Sequence, residues 1–335
     1  MRHPMRHPMR HVIIGPGAVG GTVAARLALA GHDVAVVARG AHAAAIRTSG
    51  LRLRTPDEDV TVELEVHEDV AEVPLADGDV VHVCVKSQDT VAVLDRLAAV
   101  APEGMTLVCM QNGVDNERQA ARRFAHVYGV NVSVFAEHLE PGVVLAFGRP
   151  LTGVLDVGRY PHGVDDRAER IATDLDGAGF SSRAVDDIMR AKHGKLLRNL
   201  LNILDALGPA GSARSELGER VVAEGVAVLA AAGVPSATPA EQRARLDGFT
   251  APAPIAGVER GGGSTLQSML RGRPSLETDL LNGEIVLYAR LAGVEAPLNA
   301  ALQRLARRAV HEGWGPGHLT LEELTAAVEA GGPTG

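Results

Sequence analysis

Lysine is almost absent from this chain. Of 33 Lys and Arg residues only three are lysine: Lys86, Lys192 and Lys195. Positions that need only positive charge are therefore filled by Arg, which stays protonated inside proteins. An amine can give up its proton in a desolvated pocket, so a retained Lys marks a place where that property counts. Chance retention is the competing explanation. Aromatic residues are also scarce, with five Phe, three Tyr and one Trp, so Ala, Val and Leu must carry the burial. No basic run interleaved with aromatics occurs, and the net charge is −8. Nucleic acid is thereby excluded as the main partner, and an anionic substrate would need a local cationic site. The two cysteines, Cys84 and Cys109, lie within apolar runs. They read as small buried hydrophobes in a reducing compartment and exclude a disulfide framework.

Long hydrophobic runs are missing as well. No stretch approaches the roughly eighteen apolar residues of a membrane-spanning helix, and no membrane association is expected. The N-terminus, a tandem repeat from Met1 to His11, lacks the apolar core of a secretory signal. The chain is expected to be soluble and cytoplasmic. Residues 1–10 are expected to form a disordered tail, with Met9 the natural start. His3, His7 and His11 recur at every fourth position, but Pro4 and Pro8 prevent one helical face, so no metal site is expected.

What is present begins with an alternation of strand and helix. His11-Val12-Ile13-Ile14 predicts a strand, residues 21–30 predict a helix, and residues 33–38 a second strand. Between the first two lies Gly15-Pro16-Gly17-Ala18-Val19-Gly20, a G-x-G-x-x-G turn in the context that binds dinucleotides. Gly15 permits the tight turn, Gly17 admits a pyrophosphate to the backbone, and Gly20 lets helix and strand pack closely. The helix start then offers free N–H groups to phosphate. The second strand runs into Ala38-Arg39 with no acid to bind a ribose 2′-hydroxyl, whereas Arg39 can accept a 2′-phosphate. NADP(H) is therefore the expected cofactor.

Residues 51–54 and 60–66 alternate like a hairpin, and residues 79–85 and 105–110 read as buried strands. Lys86 and Asn112 follow those two strands. Ligands collect beyond the C-terminal ends of parallel strands, so both are candidates to face a nucleotide. An Asn112-Gly113 turn needs no ligand and is the plainer alternative. From about residue 185 the pattern becomes helical. Residues 187–207 predict one long amphipathic helix, with Lys192, Lys195, Arg198, Asn199 and Asn202 in one stripe and leucines opposite. A solvated face would explain that stripe, but the two asparagines are poor helix formers and serve better as ligand-binding amides. Helices are further expected at 215–232, 264–272, 276–292, 297–310 and 319–330. An Ala-, Pro- and Gly-rich loop ending at Gly263 suits a mobile lid.

The ordered set Gly15-x-Gly17-x-x-Gly20, Arg39, Val85-Lys86, Gln111-Asn112-Gly113, Lys195-x-x-x-Asn199 and the block from Ser264 to Gly283 resembles the ketopantoate reductase family from about residue 11 to 310. The resemblance implies an α/β fold, with an N-terminal Rossmann-type doubly wound sheet followed by an all-α domain. The NADP-binding domain would span 11–184 and the helical substrate domain 185–330. It further implies an oxidoreductase reducing a 2-oxo acid with NADPH, above all ketopantoate to D-pantoate in pantothenate biosynthesis. By the same likeness Lys195 and Glu277 are the catalytic residues, and Asn112, Asn199, Asn202 and Ser264 bind substrate. Gly15, Pro16, Gly17, Ala18, Val19, Gly20, Arg39, Lys86, Asn112 and Glu277 hold the cofactor. A homodimer is compatible with the family. The chain departs from the family pattern at His193, where Trp is common, and at Ser268, where an acid is usual. Asn202 stands three residues after Asn199 rather than four, and one extra residue precedes Glu277. These departures leave two alternatives, a sibling acting on another 2-oxo acid and a non-catalytic NADP(H)-binding sensor. Arg39→Ala should narrow the preference for NADPH over NADH, measured as the ratio of their KM values. An unchanged ratio would mean that the 2′-phosphate is held elsewhere.

Overall fold

A computed structural model describes residues 9–258, 260–272 and 275–330. The chain divides into two units. One contains residues up to 111, 116–188 and 245–258, and the other contains 112–115, 189–244 and 260–330.

The first unit is built on a seven-stranded sheet. Its strands are β1 (His11–Ile14), β2 (Val34–Val37), β3 (Glu65–His67), β4 (Val80–Val83), β5 (Thr106–Cys109), β6 (Val127–Val134) and β7 (Gly153–Arg159), in the spatial order β7-β6-β5-β4-β1-β2-β3. All pairs are parallel except β6 with β7. The order reverses direction between β1 and β4, the switch point at which such sheets take their ligands. Strand β1 shows why the sheet strands read as continuous apolar runs. Ile13 packs into one core, while Val12 and Ile14 pack into another on the opposite face. Both faces are covered, so no polar alternation survives.

The expected hairpin strand at 60–66 is two strands in different sheets. Asp59–Val62 pairs antiparallel with Leu51–Arg54, whereas Glu65–His67 crosses to the main sheet and runs parallel to β2. Continuous alternation conceals the division, because both pieces present one wet face. The tail expected over residues 1–10 does not extend through Arg10. Residues 1–8 lie outside the described residues, but Arg10 is tied down. Its guanidinium donates to the Glu65 carboxylate at 2.8 Å and to the Pro74 carbonyl at 3.1 Å.

The segment expected as a mobile lid is regular in part. It holds a helix, Pro239–Leu246, and a short strand, Thr250–Pro252, which pairs antiparallel with Gly148–Pro150. Arg245 fixes this excursion to the first unit through a bidentate bond to the buried Asp156 carboxylate, at 2.8 and 2.6 Å. Residues 245–258 therefore depart from the 185–330 span expected to form the helical domain.

The second unit is helical. Its main elements here, after α1 (Ala18–Leu29) of the first unit, are α2 (Ile188–Asn199), α3 (Asn202–Leu207), α4 (Glu216–Ala231), α5 (Ser264–Leu270), α6 (Asn282–Ala292) and α7 (Pro297–His311). Leucines of α2 and α3 share a core with residues of α4, α6 and α7. The expected helix 276–292 divides into a 3₁₀ turn, Glu277–Leu280, and α6. Among the described residues no helix is long and apolar enough to cross a membrane.

Two glycines of the first turn are dictated by space. Gly15 adopts φ +85°, where side chains are rare, and a Cβ there would press on the Val85 backbone. A Cβ on Gly20 would stand 2.5 Å from the Gly15 carbonyl oxygen and 2.7 Å from Cys84 Cβ. Gly20→Ala should therefore lower the unfolding free energy by about 1–3 kcal/mol, as overpacking typically does. Urea denaturation measures this, and an unchanged midpoint would contradict the close packing of α1 on β1.

Candidate active site

The nucleotide residues of the first unit take the geometry that the glycine spacing requires. Helix α1 begins at Ala18, with Gly17 at the N-cap and no side chain capping it. The first N–H groups are thus left for an anion, the role proposed for Ala18, Val19 and Gly20. A Cβ built on Gly17 would meet no heavy atom within 4 Å, so the approach to the backbone is open. A pyrophosphate fits such a cradle. Arg39 follows the end of β2, is exposed, and makes no hydrogen bond or ion pair among the described residues, which suits capture of a mobile phosphate.

One supporting residue escaped the sequence reasoning. His42 Nδ1 accepts from Gly142 N–H at 2.9 Å, which leaves the proton on Nε2, and Nε2 donates to the Pro16 carbonyl at 2.8 Å. His42 thereby pins the glycine turn. Burial lowers its pKa, which favours this neutral form. Histidine in a surface-like helix carries no signal for such a role. Lys86 stands at the start of a 3₁₀ turn after β4, and Gln111 holds that turn, its side-chain amide donating to the Val85 carbonyl at 2.7 Å.

In the second unit Lys195, Asn112 and Glu277 come together. The Lys195 ammonium donates to Asn112 Oδ1 at 2.6 Å. Gly113 has φ +79°, so the Asn-Gly turn is real, and Asn112 accepts the Lys195 hydrogen bond from within it. Desolvation lowers the Lys195 pKa well below the usual lysine range, and the nearby Arg198 and Lys192 charges add to this. The Glu277 carboxylate opposes the shift without cancelling it. Two like charges around one lysine are an arrangement that favours proton release.

The polar stripe on which these residues were placed is not a solvated face. Lys192 and Asn199 are buried, and Arg198 is exposed. The stripe also belongs to two helices rather than one. The chain breaks at Leu200-Leu201, because Asn282 Nδ2 donates to the Leu200 carbonyl at 3.2 Å, which would otherwise accept from Leu204 N–H. Leu204 N–H bonds to the Leu201 carbonyl instead. An inserted side chain is a recognised cause of such a break. Asn282 is held in turn by Asn299 Oδ1 at 2.9 Å, and Asn299 by the Glu224 carboxylate. These residues were missed, since an isolated Asn near a helix start reads as a cap. Asn199 consequently ends α2, with its Nδ2 buried and unpartnered, whereas Asn202 opens α3 on the far side of the break.

Ser264 opens α5, which packs against α3, and its hydroxyl is buried without a hydrogen-bond partner. Two unsatisfied polar groups, on Asn199 and Ser264, are what a polar substrate would repair. The departures noted in the sequence are structurally occupied. Ser268 Oγ donates to the Ser264 carbonyl at 3.0 Å, and His193 bridges the Met189 carbonyl at 2.8 Å and the Tyr288 hydroxyl at 3.0 Å.

Known proteins agree with this organisation. The sequence signature described as "Ketopantoate reductase PanE/ApbA" matches residues 11–161, and that of its C-terminal part matches residues 187–310. A 2-dehydropantoate 2-reductase of Halobacterium salinarum is 31% identical over 90% of this chain and 99% of its own. The structure of a PanE/ApbA family ketopantoate reductase from Ralstonia eutropha JMP134 superposes with TM-score 0.76 at 29% identity, covering 91% of this chain and 99% of that one. A D-mandelate dehydrogenase structure with NADH and anilino(oxo)acetate gives the same TM-score at 21% identity over 91% of this chain and 99% of that one, a likeness of fold alone.

Asn282→Leu should cost about 1–3 kcal/mol, because it strands the Leu200 carbonyl and the Asn299 amide oxygen. Chemical denaturation checks this, and a neutral effect would deny the network its role in the break.

Proposed function

The chain belongs to the ketopantoate reductase family, and is an oxidoreductase acting on CH–OH groups; from that premise we propose that it reduces ketopantoate to D-pantoate with NADPH, the reducing step of pantothenate biosynthesis. The observation that carries this reading is the Lys195 amine, bonded to Asn112, beside Glu277, with a depressed pKa. An amine of ordinary pKa holds its proton too tightly to be an efficient acid near neutrality.

Bound NADPH supplies hydride to the carbonyl carbon. Lys195 supplies the matching proton from Nζ to the carbonyl oxygen, so that the C=O π bond is replaced by one C–H and one O–H bond. Asn112 orients the ammonium through its side-chain oxygen. Glu277 sustains the charge of Lys195 before transfer and accepts the hydrogen bond of the product hydroxyl. The Asn199 amide and the Ser264 hydroxyl bind substrate oxygens, the carboxylate at Ser264, and Asn202 lines the same region. Gly15 to Gly20 hold the pyrophosphate with Pro16 fixed by His42, Arg39 binds the 2′-phosphate, and Lys86 attends the nicotinamide side. The substrate is a small anionic acid in a soluble, cytoplasmic enzyme, and neither nucleic acid nor membrane takes part. A homodimer is compatible with this reading.

A second reading is a sibling that takes another 2-oxo acid. It is favoured by Ser268 and His193, whose hydrogen bonds to the backbone and to Tyr288 replace the acid and Trp of the family pattern. A steady-state assay with NADPH and a panel of 2-oxo acids separates the two. Ketopantoate should give the highest kcat/KM, and a linear acid in first place would favour the sibling. Lys195→Ala should lower kcat by at least about 100-fold, the usual scale of acid catalysis, with NADPH affinity nearly unchanged. Loss of NADPH binding by the same factor would instead make Lys195 a nucleotide ligand.

A further inference from the structure

At the opposite end of β1 from the glycine turn, three metal-ligating side chains converge. His11 begins β1, His32 lies in the turn between α1 and β2, and Asp174 lies on the helix Asp166–Gly177. One ligand atom from each falls within 4.8 Å of the other two, the only such group among the described residues. We infer that His11, His32 and Asp174 form a site for a divalent transition-metal cation of the zinc class, outside the catalytic centre.

Three observations support the assignment. First, His11 is fully buried, yet its Nε2 has no hydrogen-bond partner. A buried ring nitrogen without a partner is an uncommon expense in a folded protein. Second, that nitrogen faces Asp174 Oδ2 at 3.3 Å without forming a hydrogen bond to it. Ligand atoms about 2.0–2.1 Å from a tetrahedral zinc are themselves about 3.3 Å apart, so the pair already has the spacing of two vertices. Third, His11 Nδ1 lies 3.0 Å from Nε2 of the fully buried His82 on β4. When His11 donates from Nδ1 to His82, its Nε2 carries a lone pair beside, and off line with, a carboxylate oxygen. Two acceptors so placed repel unless a cation stands between them. An outer hydrogen bond that fixes the tautomer and aims the ring is the usual companion of a histidine ligand.

The third ligand, His32, has its ring centroid 5.3 Å from that of His11, with the planes nearly perpendicular, so both rings can turn a nitrogen to one point. Two imidazoles and a carboxylate suit zinc or a neighbouring transition metal better than magnesium or calcium. Three protein ligands leave the fourth tetrahedral position to water. His32 and Asp174 are only partly buried, which gives the ion a path of entry. The site ties together the start of β1, the end of α1 and the helix that covers β7, elements far apart in sequence.

The test uses the full-length chain, stripped with chelator and titrated with Co(II), whose d–d absorption is intense in tetrahedral sites; Zn(II) is then added in competition. One equivalent should bind and be displaced by Zn(II), and Zn(II) should raise the thermal midpoint reversibly with EDTA. The double variant His32→Ala/Asp174→Asn, at two partly exposed positions, should lose the band while keeping its far-ultraviolet circular dichroism. His3→Ala/His7→Ala should keep the band. The inference is overturned by the absence of stoichiometric uptake, by uptake that survives the His32/Asp174 variant, or by uptake that depends on His3 and His7. Should the His32/Asp174 variant fail to fold, the wild-type midpoint decides: no shift with Zn(II) refutes the site.

Discussion

The candidate site depends on one short hydrogen bond, from the Lys195 ammonium to Asn112 Oδ1. Burial and the charges of Arg198 and Lys192 act against a proton on that amine, while the Glu277 carboxylate and the Asn112 oxygen act for it. The Asn112 oxygen gives the ammonium a direction and offsets part of its lost hydration. An amide oxygen provides direction without adding a full negative charge, so the pKa remains low. A carboxylate at position 112 would return the lysine toward its ordinary range and weaken it as an acid.

The second unit is arranged to hold that amine. Asn282 takes the Leu200 carbonyl out of the helical ladder, and Asn299 and Glu224 hold Asn282 in place. The resulting break ends α2 at Asn199, directly after the turn that carries Lys195. Leucines on the other side of α2 and α3 pack into the core of the unit, so the polar residues are positioned by their neighbours' burial. In the first unit, His42 does the equivalent work for the glycine turn by holding the Pro16 carbonyl.

Much of this was legible in the sequence because the signals are local. The G-x-G-x-x-G spacing reports steric demands that the Gly15 and Gly20 surroundings impose directly. Apolar runs report strands buried on both faces. The scarcity of lysine pointed to three residues, Lys86, Lys192 and Lys195; the family likeness chose Lys195 among them, and it is now seen paired with Asn112. What could not be read was decided by contacts between distant residues. The helix over 187–207 has unbroken periodicity, and only a side chain some 80 positions away interrupts it. The run 60–66 alternates throughout, although its halves join different sheets. The Ala-, Pro- and Gly-rich segment looked slack, but Arg245 anchors it to Asp156, a partner that composition does not reveal. His42 and the histidines around His11 gave no signal either, since their meaning lies in which atoms they face.

The most direct measurement is a titration of the lysine side chains by nuclear magnetic resonance, using ε-labelled lysine in the full-length protein. With three lysines in the chain, Lys86→Arg and Lys192→Arg variants assign the signals without ambiguity. The account predicts that one amine, Lys195, loses its proton at a pH well below the ordinary lysine value of about 10.4. Titration of the Lys195 signal in the ordinary lysine range would contradict it, because an amine so placed would be neither desolvated nor poised to give up a proton.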